Sequence, residues 1–181
     1  MALAFACPAH AALLLVDASG QLTGATGVNV NGTLYDVSFV EGTCVDLFSG
    51  CDSASDFAFS SVFDANDAAV ALEQLVLIGS FDTDPASTLG CEAGIVAACV
   101  VITPFAVATG EVLTTSVFNQ PTTVDGLTGW PVPTTFDTSS SPFEVYAEWT
   151  PTPVPEPSTL MLIGTGLLGA GVKRWRRRRA E

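Results

Sequence analysis

The first 157 residues contain no lysine and no arginine, and all six basic residues fall between Lys173 and Arg179. The single histidine is His10. These absences remove whole classes of chemistry from the segment between the two ends, residues 12–150, called the body below. Ser-His-Asp and Cys-His nucleophiles need an imidazole base, Schiff-base catalysis needs a lysine, and phosphate clamps need arginine. Histidine metal centres are excluded with them. Nucleic-acid binding rests on Lys and Arg neutralising phosphates, so no nucleic acid partner is expected. There is also no Walker A loop and no dinucleotide fingerprint. Carboxylate chemistry survives, since two acids suffice for a glycosidase. No pair stands out among the 17 acids of the body. The body is therefore expected not to be an enzyme; a secreted, carboxylate-dependent glycan-active enzyme is the alternative.

What is present is acid and apolar surface. The chain of 181 residues has a formal charge of −13, and 18 of its 19 acids precede residue 158. Apolar residues make up 48% of the chain, enough for a core and too many for an acidic disordered segment. The length fits one domain with appendages. Such an acidic surface repels anionic lipid and attracts cations or basic partners.

There are five cysteines. Cys7 belongs to the N-terminal segment, which leaves two close pairs. Four cysteines allow three connectivities, and nearness in sequence favours Cys44–Cys51 and Cys91–Cys99 as local disulfides of an exported chain. Zinc would want C-x2-C spacing and usually histidine, and neither is present.

Within the body, Asn31-Gly32 signals a type I′ hairpin that pairs Val30 with Thr33 and Val28 with Tyr35. Val28, Val30, Thr33, Tyr35, Val37 and Phe39 then share one face. The stretch Phe63–Leu77 is the one helical segment, with Asp64 as N-cap, Asp67 supporting the first turn, and Ala68, Leu72, Leu75 and Val76 as its apolar stripe. Asp64, Asn66 and Asp67 do not fit an EF-hand loop, and helix capping explains them. Beyond the helix the segments are rich in β-branched residues. Phe143, Val145, Ala147 and Trp149 alternate through a last strand, and Pro131 and Pro133 mark an irregular loop. The expected fold is mainly β, an antiparallel sheet or sandwich-like structure with one packed α-helix, plus a separate C-terminal hydrophobic helix.

Two ligand ideas follow from the body. Asp46, Asp52 and Asp56 flank the first cysteine pair, where a calcium ion could bridge them; an exposed acidic loop is the simpler account, and no other cofactor is expected. Tyr35, Trp130 or Trp149 could stack on sugar rings, with core packing as the simpler account, above all for Tyr35 and Trp149.

The ends speak of destination. Ala9-His10-Ala11 fits a signal-peptidase site, so residues 1–11 read as a signal peptide whose start lies further upstream. At the other end Thr150–Pro153 reads as an extended, solvated Thr/Pro linker, and residues 151–157 as a Pro-rich segment. It contains Val154-Pro155-Glu156-Pro157-Ser158. An apolar run, Leu160–Val172, follows; as a helix it reaches about 20 Å against a bilayer core of about 30 Å. Lys173, Arg174, Arg176, Arg177, Arg178 and Arg179 close the chain and hold that end in the cytoplasm. Residues 158–181 thus read as a transmembrane helix with a basic tail.

Tripeptide, short hydrophobic helix and arginine cluster, in that order, resemble the PEP-CTERM sorting signal of Gram-negative bacteria. The resemblance covers about residues 154–179. It implies recognition by exosortase, an integral-membrane cysteine transpeptidase that cuts near Pro155–Pro157. It further implies a precursor held transiently in the inner membrane, then a body passed to the cell surface or the extracellular matrix, with exopolysaccharide as a partner there. A plain C-terminal membrane anchor on a periplasmic protein is the alternative. The stretch "GQLTGATGVNVNGTLYDVSFVEGTC" also resembles PEP-CTERM proteins of unknown function, which implies an architecture and no activity.

Overall fold

The computed structural model describes residues 11–91, 98–121 and 125–153. The N-terminal segment, the hydrophobic run and the basic tail lie outside the described residues. Among the described residues eight strands form a single sheet: β1 (Leu13–Val16), β2 (Leu22–Val30), β3 (Thr33–Val40), β4 (Cys99–Ala108), β5 (Glu111–Asn119), β6 (Gly126–Thr128), β7 (Pro131–Pro133) and β8 (Glu144–Pro151). Their spatial order is β1-β2-β3-β8-β4-β5-β6, with β7 also on β5. Every pairing is antiparallel except β4 with β8. Short helices α1 (Cys44–Leu47) and α3 (Ser80–Thr83) accompany α2 (Val62–Leu75), the one long helix among the described residues. The mainly β expectation holds, as one sheet rather than two stacked ones.

The β2–β3 hairpin has the predicted register, with Val30 opposite Thr33 and Val28 opposite Tyr35. Asn31 and Gly32 take φ values of 51° and 87°, which suits a turn needing positive φ twice. The Asn29 carboxamide accepts from the Gly32 N–H at 2.7 Å and closes the turn.

Strand β8 is the keystone. The last strand in sequence inserts between β3 and β4, joining the N-terminal hairpin to the β4–β5 hairpin. Such a strand is buried on both faces, and β8 shows it in Val145, Tyr146 and Ala147. Period-two alternation then sends neighbouring residues to opposite sides. Val101, Val117, Val145, Ala147 and Trp149 meet Ala65, Ala68, Ala69 and Leu72 of α2. Val100, Ile102 and Tyr146 meet Phe48, Phe57 and Val132 on the other side. Each face carries one disulfide. Cys91–Cys99, with Cα atoms 5.3 Å apart, lies in the helix-side cluster, and Cys44–Cys51, at 5.6 Å, lies in the other.

Four local expectations are corrected. Helix α2 starts two residues before Asp64, capped by Ser61, whose hydroxyl oxygen accepts from the Asp64 N–H at 3.2 Å. The Asp64 carboxylate accepts from the Ser61 hydroxyl at 2.7 Å, and Asp64 is the third residue of the helix rather than its cap. Asp67 supports the hairpin turn rather than the first turn, accepting from the Asn31 carboxamide at 2.5 Å. Pro131 and Pro133 lie in a short edge strand, β7, rather than an irregular loop; an edge tolerates residues that lack an N–H. Finally, 150–153 is not a free linker. Strand β8 runs to Pro151, the Thr152 N–H donates to the Leu34 carbonyl at 2.9 Å, and its hydroxyl donates to Asp36 at 3.0 Å.

Candidate functional site

A cleft of about 350 Å³ lies where the start of α2 faces the handover from β6 to β7. Val62 and Asn66 form one wall, Phe105 and Leu113 the floor, and the segment 127–131 the other wall. Its position follows from the edge of the sheet. Strands β6 and β7 pair with successive parts of β5, so Gly129 and Trp130 must bridge between them. A Cβ at Gly129 would sit 2.5 Å from the Thr114 carbonyl oxygen, so glycine alone lets the bridge lie flush on β5. The Thr114 hydroxyl donates to the Trp130 carbonyl at 2.8 Å, and the Thr115 hydroxyl donates to the Ala65 carbonyl at 2.9 Å. These two bonds tie both walls to the same strand. No lining residue is ionisable.

The three aromatic candidates all pack against the core. Trp149 is only 7% exposed, its indole N–H donating to the Thr103 hydroxyl at 3.3 Å. Its ring packs against Phe59 and Tyr35, with centroids 5.6 Å and 6.1 Å away. Tyr35 is half-buried and 5.1 Å from the Phe59 centroid. Both belong to the helix-side core. Trp130 borders the cleft, but it too is half-buried, packed against the other core cluster with Val112, Val132 and Tyr146. Val62, Leu127 and Thr128 carry no local signal, because nothing along the chain marks residues that meet only through the sheet, and Asn66 stood out only beside Asp64 and Asp67 as a candidate calcium loop.

The acids are used locally. The Asp46 carboxylate accepts from the Thr43 hydroxyl at 2.6 Å, beside the start of α1. Asp56 accepts from the N–H groups of Asp52 and Ser53 at 3.1 and 3.0 Å, in a capping box around the turn 54–56. Among the described residues no three His, Cys, Asp or Glu side chains converge as a metal-holding group. Asp56 and Glu148 do line a second hollow, of about 110 Å³, among Phe57, Phe59 and Trp149. That is well below the roughly 300 Å³ at which ligand pockets begin.

Three groups are displaced from their ordinary titration. Asp17 is held low by the Ser19 hydroxyl and then by backbone N–H donors, at the β1–β2 turn. Burial raises Asp125, with the Asp82 charge adding and the Gln120 N–H offsetting. Burial pushes the Tyr146 phenol up to about 12, the Glu144 charge adding. None of the three lines either hollow.

The remaining feature is the exit of the chain. The sheet's last bonded residue is Thr152, at the end of the β3–β8 pair. Asp36, which receives the Thr152 hydroxyl, also accepts from the Gly27 N–H at 3.0 Å, so the exit is tied to the bulge of β2. The predicted motif, Val154 to Ser158, and the basic cluster lie outside the described residues.

Comparison with known proteins agrees on this boundary. Residues 153–179 match the model of the PEP-CTERM protein-sorting motif, and the match begins one residue after Thr152. No curated protein and no solved structure matches the chain. The motif makes this an exported protein, anchored in the membrane before processing, with exosortase as the processing partner.

Proposed function

We propose that the protein is delivered to the cell surface or the exopolysaccharide matrix, where its body acts as a non-enzymatic structural or binding module. The observation that carries this reading is the sorting motif at residues 153–179, immediately after a complete folded sheet. The described strands all precede the motif, so cleavage beyond Thr152 would leave each of them intact. Its acidic surface keeps it soluble outside the cell. The non-enzymatic reading draws its support from the missing basic and histidine side chains, and from hollows that hold either no ionisable group or too little space.

The test is Glu156→Ala in the native host, with membranes, medium and matrix fractions probed for the body. The parent is expected as a shortened form in the matrix or on the surface. The variant is expected as full-length precursor in membranes. A variant cut and released like the parent would remove the sorting step. A parent that is cut but absent from both surface and matrix would remove the destination.

A further inference from the structure

We infer that the junction of α3 with the end of β5 is a calcium site, ligated by the side chains of Asp82, Asn119 and Asp125.

The sheet brings the three together. Side chains alternate along β5, so Asn119 shares the helix-side face with Val117 and with Thr115, whose hydroxyl reaches Ala65 of α2. The β5–β6 register sets Val117 opposite Leu127 and Phe118 opposite Gly126. One step further along that register Asp125 stands opposite Asn119, and directly opposed residues of an antiparallel pair share a face. The Gln120 N–H donates to the Asp125 carboxylate at 3.0 Å and fixes it there. Helix α3 lies over the same spot. The Asn119 carboxamide N–H donates to the Phe81 carbonyl at 2.9 Å, and Asp82 is the next residue.

Two neighbouring carboxylates alone would be an ordinary acidic patch. Asn119 is what distinguishes this one. It is fully buried, and its carboxamide oxygen has no hydrogen-bond partner among the described residues. The orientation of the amide is fixed, because a carbonyl only accepts: the nitrogen must face Phe81, and the oxygen is the end left over. Nearly all buried acceptors find a partner. A water molecule would satisfy the oxygen but leave the two acids without a counter-charge. Burial raises the Asp125 carboxyl above its ordinary range, the Asp82 charge adds to the rise, and the body has no Lys or Arg to offset either. The Asp82 carboxylate takes no hydrogen bond among the described residues. A cation meets both demands at once, since it takes the lone pair of the amide and the charge of the acids.

The donor set selects the metal. Oxygen ligands alone disfavour zinc and copper, which want nitrogen or sulfur. Magnesium demands a near-octahedral shell and gives up its waters reluctantly, whereas calcium accepts irregular shells that mix carboxylate, amide and water oxygens. Asp82 and Asp125 are half-buried, so water reaches the solvent side of the site and completes the shell. Two charged ligands correspond to the weak affinities of extracellular calcium modules, which suits an exported protein. The loop of Asp46, Asp52 and Asp56 is a separate place, beside the disulfide of the opposite face.

The test uses the full-length chain with its disulfides intact, stripped with EDTA in a zwitterionic detergent. It is titrated with calcium chloride in about 150 mM sodium chloride, which screens diffuse attraction to the acidic surface. Calorimetry gives the stoichiometry and affinity, and the side-chain amide resonances of Asn119 report the ligand. One calcium per chain is expected, with a Kd of about 0.1–1 mM and an Asn119 shift that follows the same curve. Magnesium should bind at least about tenfold more weakly. Asp82→Asn and Asp125→Asn should each weaken calcium binding at least about tenfold, while their melting temperatures in EDTA should not fall, because each removes a repulsion. Asp52→Asn should bind like the parent. No saturable binding, equal binding by the parent and both Asn variants, or an Asn119 amide unmoved at saturation would each overturn the site. A loss of binding in Asp52→Asn as large as in Asp82→Asn would do the same, by moving the ion to the other loop or to the surface at large.

Discussion

Removing one disulfide gives the most quantitative test of the fold. Cys44→Ala with Cys51→Ala opens a loop whose ends are seven residues apart in sequence. Loop-closure entropy for about eight residues predicts a loss of about 2.5 kcal/mol. Packing points the same way. Cys44 is fully buried, Cys51 is 3% exposed, and Phe48 between them meets Tyr146 and Phe57 with centroids 5.6 Å away in each case. Ser49, Gly50 and Cys51 hold φ values of 49°, 101° and 51°, a left-handed run that an open loop would not keep. A domain of about 140 residues has an unfolding entropy of about 0.3 kcal/mol per degree, so the melting temperature should fall by about 8 °C. The Cys91→Ala, Cys99→Ala pair closes a loop of similar length and should cost a similar amount. The two pairs lie in separate core clusters on opposite faces, so their effects should add in the fourfold variant. Thermal melts of the exported protein followed by circular dichroism measure all three. A first-pair variant that melts within about 2 °C of the parent would refute the reasoning, as would a fourfold loss far from the sum.

Two further outcomes follow from the body's chemistry. The Tyr146 hydroxyl is fully buried and has no hydrogen-bond partner among the described residues, so Tyr146→Phe should stabilise the body by about 1 kcal/mol, read from denaturant midpoints; a clear loss of stability would contradict this. The folded-state phenol titrates at about 12, above its unfolded value near 10, so its contribution is full below pH 10 and disappears as pH rises from 10 towards 12. The parent should lose stability across that window more steeply than Tyr146→Phe, and parallel profiles would exclude the effect. Raising sodium chloride from about 10 mM to about 150 mM shortens the Debye length from about 30 Å to about 8 Å. The melting temperature should rise with it, because 17 acids have no base in the body to pair with; a flat response would mean that their repulsion is negligible.

What the sequence alone determined is whatever depends on neighbours along the chain. The Asn31-Gly32 turn, the register it sets, the helical stripe from Ala68 to Val76 and both cysteine pairings are local, and periodicity or spacing encodes them directly. The tail is legible for the same reason, since tripeptide, apolar run and basic cluster act in order along one segment. Even local signals failed where two competed. Ser61 outranked Asp64 as the cap because the helix begins earlier, and Pro131 and Pro133 read as loop although a sheet edge accepts them. Tertiary structure decided everything that needs distant segments to meet. The insertion of β8 between β3 and β4 rests on contacts such as Val101 with Val145, more than forty residues apart, which no local pattern announces. That insertion ties 150–152 to the sheet and buries Trp149 on the helix side, while Trp130, at the β6–β7 edge, packs half-buried on the opposite cluster. The three aromatic candidates thus fall on two faces of one sheet, because burial is a property of the packed sheet and not of the residue or its neighbours in the chain.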